Sequence, residues 1–146
     1  MHNILFVCTA NIFRSRFAEE VFNFLAIKEK IPTRAFSAGL KVGEYHIRKI
    51  YRPALEQLEK LNIKPRRPNE LSLHIDEVQL TKYDQLICMD EVEHKPMVLL
   101  NPKLKDFGYQ RQQNQTDLLR LLTNLFNFVK EIKFYNLQEY FICLHS

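Results

Sequence analysis

Glycine is scarce in this sequence, with only three Gly among 146 residues. Average usage would give roughly ten. The patterns GxGxxG and GxxxxGK[ST] are both missing, which argues against nucleotide binding by the common glycine-rich loops. Long apolar runs are missing as well, and those present, such as residues 4–8, are too short to span a bilayer. The first residues lack the basic region of a secretory signal, so we expect a cytoplasmic protein without membrane insertion.

Cysteine is also scarce, with three residues at positions 8, 88 and 143. An odd number without a CxxC pair does not fit a disulfide scaffold, and the five His residues show no metal-ligand spacing. We therefore expect reduced thiols, no metal and no cofactor. The 21 Lys and Arg against 17 Asp and Glu give a net charge of +4. This surplus is too weak to indicate a nucleic-acid partner, but it suits an anionic substrate.

Strand-like and helix-like segments alternate along the chain. The apolar patterns predict strands at 3–8, 35–38, 86–89 and, more weakly, 103–107, and helices at 15–30, 53–61, 91–100 and 117–133. This order predicts an α/β fold, a single-domain three-layer sandwich with a four-stranded parallel sheet flanked by helices on both faces. Residues 1–133 form the predicted domain. Residues 134–146 form a C-terminal extension whose packing the sequence leaves open.

The junction after the first strand carries the pattern Cys-x5-Arg-Ser, from Cys8 to Ser15. A loop that leads into a helix N-terminus directs backbone N–H groups and the positive end of the helix dipole at a bound anion. Arg14 can bind two oxygens of that anion, and the same positive field favours the Cys8 thiolate. A lone cysteine in a strand is usually a small buried apolar residue, but this arrangement favours a nucleophile beside an anion site. The intervening residues are Thr9, Ala10, Asn11, Ile12 and Phe13.

Residues 4–15 resemble the phosphate loop of the low-molecular-weight protein tyrosine phosphatases. The resemblance continues in order along the chain. Residues 36–39 resemble the family's second strand, 42–44 the next loop, 53–56 the next helix, and 83–91 the strand that leads into a further helix. Several separate motifs in the right order are more specific than the loop alone. The resemblance extends from Met1 to Lys133.

The resemblance implies a phosphatase acting on phosphotyrosine in proteins or on small aryl phosphates, through a phosphocysteine on Cys8. Arg14 and the backbone N–H groups of residues 9–15 would bind the phosphate. Ser15 would donate a hydrogen bond to the thiolate, and Asn11 would hold the loop shape because Asn tolerates the left-handed conformation. The resemblance also implies a hydrogen bond between Ser37 and Asn11. No cofactor is implied.

The general acid is where the sequence departs most from the family, which carries it in an Asp-Pro pair before the last helix. No Asp-Pro pair occurs here. Asp117 is the best positional match, but Leu118 follows it, and Asp117 is equally interpretable as an ordinary helix N-cap. Asp106 is the alternative acid. The missing pair leaves open a second function, a catalytically weak phosphatase-like module that binds phosphotyrosine or a regulatory partner. An arsenate reductase is disfavoured because the cysteines are poorly placed for a disulfide relay.

Other departures lie in and around the loop. Ala10 stands where the family usually has Gly, so the backbone must reach the same shape with a Cβ. Phe13 stands where a second Cys is common. Arg16 replaces the usual Pro, and we expect it to add positive charge near the mouth of the site. Residues 45–52 are basic and aromatic, a pattern more typical of a solvated surface loop than of a cleft lining.

Overall fold

The computed structural model describes residues 1–43, 48–89, 91–105 and 142–144. Its elements are β1 (His2–Cys8), α1 (Arg14–Lys28), β2 (Thr33–Gly39), α2 (Arg52–Lys60), β3 (Gln85–Cys88), α3 (Glu91–Leu100), α4 (Pro102–Lys105) and β4 (Ile142–Leu144). Two 3-10 turns, Ile75–Glu77 and Leu80–Lys82, precede β3. None of the helices in these ranges is long and apolar enough to cross a membrane.

The sheet has the strand order β2-β1-β3-β4. Strand β1 pairs in parallel with β2 and with β3, which confirms the predicted parallel α/β architecture. The fourth strand differs from the prediction, because β4 lies antiparallel to β3 and comes from the end of the chain. The segment that we expected to supply that strand, residues 103–107, begins as the helix α4 instead.

A helix N-cap at Asn101 explains why the strand predicted at 103–107 was wrong. The Asn101 side chain accepts hydrogen bonds from the backbone N–H groups of Lys103 (2.9 Å) and Leu104 (3.2 Å). Pro102 follows the capping residue directly, at the first helical position, where its fixed φ suits a helix. Asn-Pro therefore acts as a helix start signal that outweighs the short apolar pattern after it. The helix predicted at 117–133 lies outside the described residues.

Side chains of β1 alternate between two apolar cores, one on each face of the sheet. Ile4, Phe6 and Cys8 pack with residues of α1 and α2, and the Phe6 ring meets Phe22 edge-on with centroids 5.8 Å apart. Leu5 and Val7 pack on the opposite face. Residues of α3, α4 and the 3-10 turns cover that face. The prediction of three layers is thereby confirmed, and Cys8 lies at the carboxyl end of the central strand.

Gly39, the last residue of β2, packs directly against the chain that follows β1. It pairs with Cys8 in the sheet, and the next two residues, Leu40 and Lys41, donate backbone hydrogen bonds to the carbonyls of Cys8 and Thr9. A Cβ on Gly39 would lie 2.8 Å from the Thr9 carbonyl oxygen and 3.0 Å from the carbonyl carbon of Ala10. Only glycine lets the two backbones approach this closely.

We predict that Gly39→Ala displaces the backbone of Thr9 and Ala10 and lowers the free energy of unfolding by about 1–3 kcal/mol. Because Cys8 adjoins the displaced segment, its alkylation by iodoacetamide should also slow. Urea denaturation and peptide mass spectrometry measure the two effects.

The matched control is Gly43→Ala. Gly43 has φ +98°, and a Cβ there meets no described atom within 4 Å. The strained backbone should cost about 1–3 kcal/mol as well, but the alkylation of Cys8 should be unchanged. If Gly39→Ala alkylates at the wild-type rate, the close approach does not shape the segment after β1.

A network of buried charges ties α1 to residues 66–73. The Arg67 guanidinium donates to both carboxylate oxygens of Glu19, at 2.6 Å and 3.1 Å. Arg16 donates to the backbone carbonyls of Arg67 (2.7 Å) and Glu70 (3.0 Å). Arg16 and Glu19 are each 1% exposed, so the expectation that Arg16 adds charge near the mouth of the site is wrong. Its guanidinium holds a neighbouring segment instead.

Burial shifts the pKa values of two members of this network. It lowers the pKa of Arg16 and raises the pKa of Glu19, and the hydrogen bonds from Arg67 oppose the shift at Glu19. A buried ion whose partner is removed remains both desolvated and uncompensated. The stability of this region therefore depends on Glu19 and Arg67 remaining paired.

We predict that Glu19→Ala destabilises the protein by about 3–5 kcal/mol, because it leaves the buried Arg16 without the Glu19 carboxylate and leaves the partly buried Arg67 with its ion pair to the exposed Glu70. Urea denaturation measures the change. The control is Glu56→Ala, which breaks the ion pair with Arg52, where both side chains are more than half exposed. That change should cost at most about 1 kcal/mol. Equal losses in the two variants would contradict the prediction.

Candidate active site

The Cys8 thiol lies at the end of β1, inside the turn that leads to α1. Its Sγ accepts a hydrogen bond from the Asn11 backbone N–H at 3.3 Å and lies 2.9 Å from the Ser15 hydroxyl. Cys8 is 3% exposed and Ser15 is fully buried. The structure therefore brings together the cysteine and the serine that the sequence motif paired. We call residues 8–15 the phosphate loop, after the family loop that they resemble.

Asn11 takes the left-handed backbone conformation in this loop, with φ 55°, as predicted. Its side chain donates to the Ser15 hydroxyl (2.8 Å) and accepts from the Leu73 N–H (3.0 Å). Its carbonyl oxygen accepts from the Ser72 hydroxyl (2.7 Å). Ala10 is not among the described residues with positive φ, so its Cβ meets no conformational penalty of the left-handed kind. The loop keeps its shape without a glycine.

The expected partner of Asn11, Ser37, is bonded elsewhere. The Ser37 hydroxyl donates to the Glu19 carboxylate at 3.3 Å, and thus joins the buried charge network. The Asn11 side chain is held instead by Ser15 and by Leu73. Sequence reasoning missed Leu73 and Ser72 because the two lie about sixty positions from the loop, in a stretch without a regular apolar pattern.

Arg14 is the first residue of α1, and its Nη1 lies 2.5 Å from Oε2 of Glu93. The same Glu93 oxygen lies 3.0 Å from Nε2 of His94. That His94 nitrogen is also 3.1 Å from the Thr9 hydroxyl. No motif in the sequence indicates a role for Glu93 or His94. The topology, however, indicates that the start of α3 lies near the site, because α3 follows β3 and begins at the same edge of the sheet as the phosphate loop.

Apolar and aromatic side chains border the loop on another side. The Tyr51 N–H donates to the Ile12 carbonyl at 2.6 Å, which attaches the start of α2 to the loop. The rings of Phe13 and Tyr51 lie with centroids 5.7 Å apart, and Tyr51 is 40% exposed. Of the basic and aromatic segment 45–52, residues 48–52 are described, and they run beside the phosphate loop.

Asp117 and Asp106, the two candidate acids, lie outside the described residues. Within the described ranges, no three His, Cys, Asp or Glu side chains are grouped so that they could hold a metal ion. The two cysteines whose side chains are described, Cys8 and Cys88, belong to the cores on opposite faces of the sheet. The sheet therefore separates these two thiols.

A family comparison supports the assignment of the loop. The sequence matches the family model for "Low molecular weight phosphotyrosine protein phosphatase" over residues 3–118. No curated protein matches the sequence significantly.

Solved structures show the same fold. YfkJ from Bacillus subtilis is 23% identical, with 93% of this chain and 97% of that chain covered and a TM-score of 0.63. The low molecular weight protein tyrosine phosphatase from T. tengcongensis is 22% identical, with 91% and 96% covered and a TM-score of 0.62. A third structure is described as YwlE arginine phosphatase, a Cys-to-Ser mutant with a phosphorylated active-site serine. It is 25% identical, with 71% and 63% covered and a TM-score of 0.58.

The family match covers more than half of the chain and includes the whole phosphate loop. The neighbouring structures share the fold that places Cys8 at the end of the central strand, where the loop meets the N-terminus of α1. This chain therefore belongs to the low molecular weight phosphotyrosine protein phosphatase family of cysteine-dependent phosphatases.

Proposed function

We propose that this protein hydrolyses phosphotyrosine and related aryl phosphate monoesters through a phosphocysteine intermediate on Cys8. The observation that carries the proposal is the setting of the Cys8 sulfur, between the Asn11 N–H at 3.3 Å and the Ser15 hydroxyl at 2.9 Å. Hydrogen-bond donors around a sulfur orient it and stabilise the negative charge that it carries as nucleophile and as leaving group. Arg14 lies on the same loop and supplies the permanent cation that a phosphoryl group needs.

The reaction proceeds in two steps. The Cys8 thiolate attacks phosphorus, an S–P bond forms, and the P–O bond to the phenol breaks while Asp117 donates a proton to the leaving oxygen. Water then attacks phosphorus, Asp117 accepts its proton, and the S–P bond breaks to release phosphate and the thiolate. Arg14 and the backbone N–H groups of residues 9–15 stabilise the phosphoryl oxygens in both steps. Ser15 donates to the sulfur as it leaves.

The aromatic side chains at the phosphate loop support the proposal that the leaving group is aromatic. The Phe13 ring of the phosphate loop and the neighbouring Tyr51 ring place aromatic surface at the loop, and Tyr51 is 40% exposed. Aromatic rings favour stacking on such surface. One neighbouring structure is described as an arginine phosphatase, so phosphoarginine is the informative competing substrate.

We predict that Cys8→Ser lowers the turnover of p-nitrophenyl phosphate by at least about 10³-fold, because the hydroxyl is a far weaker nucleophile than the thiolate. Arg14→Lys should lower kcat/KM by about 10²-fold, because an ammonium cannot bind two oxygens in a planar fork. Steady-state kinetics measure both effects. Phosphotyrosine peptide should be hydrolysed with a higher kcat/KM than phosphoarginine peptide.

Two results would change the assignment. If the wild type is no faster than Cys8→Ser but binds phosphotyrosine peptide in calorimetry, the protein is a phosphatase-like binding module. If phosphoarginine is the better substrate, the family activity holds but the aryl specificity is wrong. Melting temperatures show that each variant remains folded.

The role of Asp117 has its own signature. We predict that Asp117→Ala slows hydrolysis of phosphotyrosine by about 10²–10⁴-fold, because its phenolate is a poor leaving group that needs a proton. Turnover of p-nitrophenyl phosphate, which has a good leaving group, should fall much less. Asp106→Ala is the matched control and should affect neither substrate. If Asp117→Ala keeps the wild-type rate on phosphotyrosine, another group is the general acid.

A further inference from the structure

Two consecutive residues of α3 connect the two ends of the phosphate loop. Glu93 contacts Arg14 at the end of the loop (2.5 Å), and His94 contacts Thr9 at its beginning (3.1 Å). Glu93 and His94 contact one another at 3.0 Å through the same two atoms, Oε2 and Nε2. We call this chain of contacts, Thr9–His94–Glu93–Arg14, the α3 bridge.

We propose that Glu93 is a positioning residue for the phosphatase reaction, which holds the Arg14 guanidinium in the orientation that binds the phosphoryl oxygens. The proposal rests on the proposed function, since it assigns Glu93 a part in that reaction. His94 and Thr9 have a supporting role in it, because they hold the carboxylate in place. Nothing in the sequence motif or in the family match assigns a role to Glu93.

The anchoring of the carboxylate separates this pair from an ordinary surface ion pair. The side chain of Arg14 is 24% exposed and that of Glu93 is 41% exposed, and a free pair with such exposure would fix little. His94, however, is completely buried, and its ring reaches both Glu93 and the buried Thr9. A carboxylate oxygen shared between a guanidinium and a buried imidazole has little room to move. It therefore restricts the long, flexible Arg14 side chain as well.

The geometry of a guanidinium allows both contacts at once. Arg carries five N–H donors on three nitrogens, so a contact of Nη1 with Glu93 is compatible with phosphate binding through other donors. The Glu93 carboxylate also repels a phosphate dianion. Positioning and repulsion therefore predict opposite effects of removing Glu93. If positioning dominates, catalysis weakens; if repulsion dominates, anion binding tightens. The anchoring by His94 favours positioning.

A double-mutant cycle tests whether Glu93 acts through Arg14. With p-nitrophenyl phosphate, we predict that Glu93→Ala lowers kcat/KM about tenfold in the wild-type background and less than about twofold in the Arg14→Lys background. Glu93→Gln should retain an intermediate rate, because its amide oxygen still accepts a hydrogen bond from Arg14. Glu56→Ala, which removes the carboxylate of an exposed Arg–Glu pair on α2, is the matched control and should leave kcat/KM unchanged. Melting temperatures verify folding.

Equal losses in the two Arg14 backgrounds would mean that Glu93 does not act through Arg14, and a higher kcat/KM in Glu93→Ala would mean that repulsion dominates. Either result overturns the proposal. If the wild type shows no Cys8-dependent turnover, the proposed function fails separately. The cycle is then measured by calorimetry with orthophosphate, whose binding should weaken in Glu93→Ala only when Arg14 is present. Unchanged or tighter binding there again overturns the proposal.

Discussion

The conformation of the phosphate loop is the constraint on which the rest of the site depends. Backbone N–H groups bind an oxyanion only if several of them point to one centre, and that needs a turn which most residues adopt at a cost. Asn11 provides the turn with φ 55°, and its N–H reaches the Cys8 sulfur. Its carbonyl, carboxamide and backbone N–H are all hydrogen-bonded, to Ser72, Leu73, Ser15 and the sulfur. The strained residue is thus fixed at every polar atom.

The residues that hold Asn11 are themselves held by a more distant set of contacts. Ser72 and Leu73, which hold Asn11, belong to the segment that Arg67 and Arg16 attach to α1. Glu19 completes the attachment from the third position after Arg16 on the same helix. The helix that begins at the end of the phosphate loop, α1, therefore also carries Arg16 and Glu19, the charges that hold the 66–73 segment. We therefore expect a substitution in the buried network to affect the site by displacing residues 66–73, which hold Asn11, rather than by changing the charge near Cys8.

The extent to which these features follow from the sequence depends on how far each contact reaches along the chain. The central strand, the helix after it and the left-handed Asn11 depend on neighbouring residues, and all three were predicted correctly. Other contacts depend on segments that come together only in the folded protein. These are the hydrogen bond of Ser37, the hydrogen bonds of Arg16 and the contacts of Ser72 and Glu93. No local pattern encodes them. The error at α4 has a different origin, because the Asn101 cap and Pro102 are local signals that outweigh a short apolar run.

The site needs few glycines, because the two roles that glycine usually has in such a loop belong here to two different residues, Asn11 and Gly39. A phosphate-binding loop needs a left-handed residue and a close approach of two backbones. Asn11 meets the first need, and its side chain contributes hydrogen bonds that a glycine lacks. Gly39 meets the second from the neighbouring strand, where a Cβ would lie 2.8 Å from the Thr9 oxygen. The loop can therefore have a side chain at every position, including the Phe13 ring that borders the proposed substrate surface.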